Sequence, residues 1–214
     1  FLSIAVFPMV RATPMPEIKG LFELIIYLFS EVTIGLAVAY SARLLFTAVQ
    51  IAGTVVDFQM GFGVVNVIDP QTETQVSITA QFQNILAILI FLATDAHHII
   101  IGAIVESFFL INPSQINFST YTPEIILILF KATFLTAVKI AAPIMAILFF
   151  ISVGLGLVAR TVPQMNVFIV GFPLQIGVGL LMVGLSMSFF SIVIQGQIEQ
   201  LPERFLGVMQ SFKA

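Results

Sequence analysis

Between Arg160 and Glu199 no residue carries a charge, and the run reads TVPQMNVFIVGFPLQIGVGLLMVGLSMSFFSIVIQGQI. As a single helix rising ~1.5 Å per residue it would be a rod of about 57 Å, nearly twice a hydrocarbon core of ~30 Å. It must be broken. Pro163, Gly171 and Pro173 bracket MNVFIV, which is too short to span, and leave Leu174 to Gln195 as a stretch long enough to do so. Irregular backbone at membrane depth is tolerated only where protein buries it or water lines it, because free N–H and C=O groups find no partner in lipid. The pattern implies a part of an assembly with a passage through it.

Composition agrees with that class. Hydrophobic residues make up 59% of the 214 and charged residues 9%, against roughly 25% charged in a soluble domain. The chain reads as an all-α integral membrane protein forming a single helical domain over 1–214, since no polar linker or low-complexity tract divides it. The net charge of -3 and the lack of a basic run exclude nucleic acid as a partner. Cysteine is absent, which removes disulfides and thiolate metal sites. The chain begins at Phe1 inside the apolar run FLSIAVFPMV, without a Met, and we expect it to be incomplete at its amino end.

Phe1 to Val10 has the pattern of the tail of a hydrophobic helix, ended by ATPMPEIKG, where Pro14 and Pro16 disfavour helix. A helical tract from about Leu21 to Asp57 is too long to lie within a bilayer unless tilted, broken or partly outside it. Along it Gly35, Ala39 and Ala42 recur at i, i+4, i+7, and Ala48 and Ala52 repeat the spacing, a narrow face for close approach of another backbone. The tract ends in FQMGFGVVNVIDPQTETQ, a loop loosened by Gly61 and Gly63 and turned at Asp69-Pro70. Two short helices in a hairpin follow, from about Val76 to Thr94 and from Ile99 to Ile111, with DAHH between them. Glu124 to Arg160 forms another overlong tract with a kink expected near Pro143. The end, LPERFLGVMQSFKA, is amphipathic.

Ionisable residues interrupt the apolar tracts at Glu31, Arg43, Asp57, Asp95, Glu106, Lys131 and Lys139. Each costs about 2.5 to 3.5 kcal/mol at a helix centre on insertion scales. A proton or ion relay is one reading; mutual or partner-chain pairing, or helices partly outside the bilayer, is the one we favour. Lys131 and Lys139, eight residues apart, share a helix face that suits carboxylates such as Asp95 or Glu106. Catalytic signatures are missing: there is no HExxH, GxSxG or Walker-type loop. His97 and His98 are adjacent rather than at i, i+4, so no metal site is expected, and Asp95 is read as the cap of a helix starting near His97. No cofactor is implied. Phe58, Met60 and Phe62 supply flexible bulk that could close a channel, although on residues alone an ordinary buried loop fits equally well.

Three segments carry a family resemblance: EVTIGLAVAYSARLLFTAVQIAGTVVDFQMGFGVVNVIDPQT, LIFLATDAHHIIIGAIVESF and GLGLVARTVPQMNVFIVGFPLQIGVGL. Together they resemble the FliR family of the type III secretion export gate over most of the chain. PQMNVFIVGFP is the most specific element, followed by Gln59-Met60-Gly61 and Asp69-Pro70. The family's first hydrophobic helix is absent, and Ala96 stands where the family usually has Gly.

The resemblance implies a gate subunit without catalysis, lying in the bacterial inner membrane at the flagellar basal body. It is expected to assemble with FliP-like and FliQ-like subunits, with an FlhB-like subunit outside, and to pass unfolded flagellar proteins. Its fold would be similar to a FliP-like unit joined to a FliQ-like unit. The loop from Phe58 to about Gln75, with Gln59, Met60, Gly61, Phe62, Gly63, Asp69 and Pro70, would be the pore plug. Pro163, Gln164, Met165, Asn166, Phe168, Gly171, Phe172 and Pro173 would form a hairpin buried against partner subunits. The alternative is a secondary transporter of a small solute, with its site at a broken helix around Pro163 to Pro173.

Overall fold

A computed structural model describes residues 2–10, 20–62, 77–111, 122–164 and 166–212. Eight helices cover them: α1 Leu2–Val10, α2 Leu21–Met60, α3 Ile78–Ala93, α4 Ala96–Leu110, α5 Thr122–Thr161, α6 Val167–Leu185, α7 Met187–Glu199 and α8 Leu201–Gln210. The all-α expectation holds. Three of these, α2, α5 and α6, are long and apolar enough to cross a membrane, and only 17 to 22% of their most apolar windows is buried within the chain. At ~1.5 Å per residue the 40 residues of α2 and of α5 each make about 60 Å. Side chains such as Phe29, Leu36, Leu127, Phe150 and Ile169 stand in the open; lipid or partner chains must cover that apolar surface.

The chain forms two compact units. One comprises Phe1–Leu45, Phe91–Ala132 and Gln197–Ala214. Here α4 packs against α8 and α1 against α4. The tail helix α8 buries Leu201, Phe205, Val208 and Met209 and exposes Pro202, Glu203 and Gln210, the i, i+4, i+7, i+8 stripe of an amphipathic helix. Thr122 Oγ1 donates to the Ser211 carbonyl at 3.2 Å, tying the start of α5 to the end of α8. Arg204 Nη2 donates to Gln197 Oε1 at 2.6 Å and Gln200 Oε1 at 3.0 Å, and burial lowers the guanidinium from its usual pKa.

The other unit comprises Phe46–Ile90 and Thr133–Gly196. Its core is one stripe of α2 (Ala48, Val49, Ala52, Val56, Met60) with Ile140, Ile144 and Leu148 of α5 and Val183 of α6, all at most 5% exposed. Gln175 Nε2 donates to Ser152 Oγ at 3.0 Å, linking α6 to α5.

Several boundaries differ from those expected. Helix α2 runs on to Met60 rather than ending near Asp57, whereas α5 is the one long tract expected, with Pro143 inside it. The break expected at Gly171 and Pro173 does not occur: α6 starts at Val167 and continues through both. Asn166 caps it, its side chain accepting from Phe168 N at 3.2 Å. A proline inside a helix removes one hydrogen bond, whereas a second break would strand several backbone groups in apolar surroundings. The Leu174 to Gln195 stretch is instead divided at Ser186, between α6 and α7.

Candidate functional site

The α2 terminus is built by a glycine. Gly61 has φ 92, its N–H donates to the Phe58 carbonyl and the Phe62 N–H to the Asp57 carbonyl, each at 3.1 Å. This is the Schellman pair of bonds, which satisfies the carbonyls that a helix end leaves free. A Cβ at Gly61 would lie 2.6 Å from the Phe172 ring of α6, so glycine is required here by conformation and by space.

One turn earlier, Asp57 is 5% exposed and reaches the start of α3. Its Oδ2 accepts from Ser77 Oγ at 2.5 Å and from Thr79 N at 3.2 Å, while Ser77 Oγ accepts from Ala80 N at 3.1 Å. Ser77 is thus the N-cap of α3, and the Asp57 carboxylate sits at the positive end of that helix. The other carboxylate oxygen, Oδ1, is buried without a partner among the described residues. Two close approaches hold this arrangement in place: a Cβ at Gly53 would overlap the Ala80 backbone, and one at Gly179 would overlap Met60 Sδ. The two ends of the segment 63–76 therefore meet on one rigid stem.

The expected plug residues divide accordingly. Phe58, Gln59 and Met60 are helical, not loop; Met60 is wholly buried against Gly179, while Phe58 is 61% exposed. Gly61 and Phe62 form the turn, and Gly63, Asp69 and Pro70 lie outside the described residues. Of the expected hairpin, Pro163 and Gln164 form a turn, Met165 lies outside the described residues, and Asn166, Phe168 and Pro173 are exposed. Gly171 is buried, with Leu155 Cδ1 3.2 Å from where its Cβ would be, and Phe172 is half-buried over Gly61.

Among the interior charges Asp57 is buried and Glu31 half-buried, whereas Arg43, Asp95, Glu106, Lys131 and Lys139 are exposed. The capping role expected of Asp95 is not borne out: it occupies the N-cap position of α4, but with φ 54 its side chain makes no cap hydrogen bond. Left-handed backbone at Asp95 separates α3 from α4, and its carboxylate falls within 4.8 Å of ring nitrogens of His97 and His98. Sequence reading missed Ser77 and this trio. A serine directly before an apolar helix was a usable signal for the first; for the second, the run DAHH stood out, but adjacent histidines argued against a shared ligand site.

In the first unit a cavity of about 540 Å³ is lined mostly by apolar side chains such as Leu36, Ile125, Leu129 and Phe212. The polar residues on its wall are Tyr40, Arg43, Thr122 and Ser211, of which Thr122 and Ser211 are already hydrogen-bonded.

Comparisons with known proteins agree with this picture. The family described as Bacterial export proteins, family 1, matches residues 1–201. The flagellar biosynthetic protein FliR of Bacillus subtilis (strain 168) is 40% identical over 91% of this chain and 76% of its own length. That of Aquifex aeolicus (strain VF5) is 32% identical over 100% and 82%. The Yop proteins translocation protein T of Yersinia pestis is 28% identical over 81% and 67%. None is named for a catalytic activity, and none supports a solute transporter. A match along nearly the whole chain, on a helical protein with three membrane-length apolar helices, shows that the chain belongs to the FliR family of bacterial export proteins.

Proposed function

We propose that the stem from Asp57 to Phe62 holds the loop that seals the conduit of a protein export gate. The chain is a membrane-embedded subunit of the type III secretion export gate and associates with other components of that system. Within that role, unfolded flagellar proteins cross the bacterial inner membrane along a conduit shared with FliP-like and FliQ-like subunits. An FlhB-like subunit joins outside it. The exposed apolar faces of α2 and α5 support such an assembly, because these helices of 40 residues are longer than a bilayer of ~30 Å covers.

The observation that carries the plug reading is the junction of Asp57 with Ser77 and Thr79. It closes both ends of 63–76 on one base, so the segment between them can be shortened without unfolding α2 or α3. Replacing residues 64–74 by a short Gly/Ser linker leaves the gate assembled and makes the membrane leak small ions. An assembled gate with a membrane as tight as the parent's would place the seal in a partner subunit.

A further inference from the structure

We infer that Asp95, His97 and His98 form a binding site for a divalent first-row transition metal ion. Three ligand atoms, one from each side chain, lie within 4.8 Å of one another. The two imidazole rings are 4.2 Å apart between centroids and inclined by 36°. His97 Nδ1 is buried and has no hydrogen-bond partner. A buried nitrogen left unpaired is costly, and a cation taken up through Nδ1 together with the neighbouring ring and carboxylate would satisfy it.

The backbone supports the same reading. Asp95 is the sole non-glycine with positive φ among the described residues, a sparsely populated conformation that persists where the surroundings over-determine it. Its carboxylate does not cap α4, so the acid remains available as a ligand. The start of α4 is the positive end of a helix dipole, equivalent to roughly half a charge, and opposes a cation. The full negative charge of Asp95 outweighs it, which makes the carboxylate as necessary as the imidazoles. Two nitrogens and one oxygen suit Zn²⁺, Ni²⁺ or Cu²⁺ rather than Mg²⁺ or Ca²⁺, and three protein ligands leave a fourth position for water or a partner's side chain. The ion would fix the turn at Thr94 and Asp95.

The chain contains two histidines and no cysteine in all, so the variant H97A/H98A retains neither imidazole nor thiol. The gate complex, purified without a histidine tag and stripped with chelator, is titrated with Co²⁺ and then Zn²⁺ while ligand-field absorption is recorded. The parent takes up one more equivalent per chain than H97A/H98A, and Zn²⁺ displaces the Co²⁺. Because losing an outer partner of a metal ligand already costs about 10–100-fold, Asp95→Asn and His98→Gln each weaken binding by roughly tenfold or more. Both positions are exposed, and unchanged helix content and complex yield show that the variants fold. Equal uptake by the parent and H97A/H98A, or Mg²⁺ competing as well as Zn²⁺, overturns the site.

Discussion

Asp57 and Gly53 are the residues on which the stem depends. Asp57→Ala removes the acceptor of two hydrogen bonds at the start of α3, leaving a buried N–H and a hydroxyl unpaired at about 1–3 kcal/mol. The expected outcome is a lower denaturation temperature of the detergent-solubilised chain, partly restored in Asp57→Asn; an unchanged transition would mean that Ser77 caps α3 unaided. Glycines test packing in the same way. Gly53→Val forces a side chain into the Ala80 backbone and costs at least the ~1–3 kcal/mol of an overpacked core. Gly35→Leu has open space around it and leaves the isolated chain as stable as the parent, as thermal unfolding in detergent would record.

Helix faces extend the argument. The small-residue stripe of α2 splits in use: Ala48 and Ala52 are wholly buried in the second unit, whereas Gly35 and Ala39 are open. Gly35→Leu with Ala39→Leu should therefore spare the chain and reduce recovery of the co-purified gate; unchanged yield and subunit ratio would exclude this face from the interface. The segment before α6 offers a second test. Phe168 is 73% exposed in the single chain, and cysteines placed at Asn166 and Phe168 in this cysteine-free sequence react readily with a water-soluble thiol reagent when the chain is alone. In the assembled gate, burial against partner subunits protects them. Equal labelling in both states would point to a water-filled cavity at that place.

At the scale of the whole molecule, apolar surface decides behaviour. Helices of 40 residues present apolar side chains over about twice the thickness of a hydrocarbon core, so lipid alone cannot cover them. Co-expression with the other gate subunits should raise the yield of the detergent-solubilised chain several-fold over expression alone, in a fixed ratio. Equal yields with and without the partners would contradict the view that partners complete its surface.

Composition and local pattern alone determined the membrane class, the all-helical architecture, a glycine-loosened turn after α2, the break near Pro163 and the amphipathic tail. Each of these depends on residues adjacent in the chain: charge-free runs long enough to span, a glycine that reaches positive φ, a stripe repeating at helical spacing. Long-range packing decided the rest. Asp57 finds Ser77 twenty residues on, Met60 is sealed by Gly179, and α6 runs through Pro173 once Asn166 caps it and α5 packs beside it. None of these follows from spacing, because burial and hydrogen-bond satisfaction belong to surroundings assembled from distant segments. The approach of Asp95 to His97 and His98 is the local exception, set by a single left-handed residue, a conformation that aspartate tolerates better than most non-glycine residues.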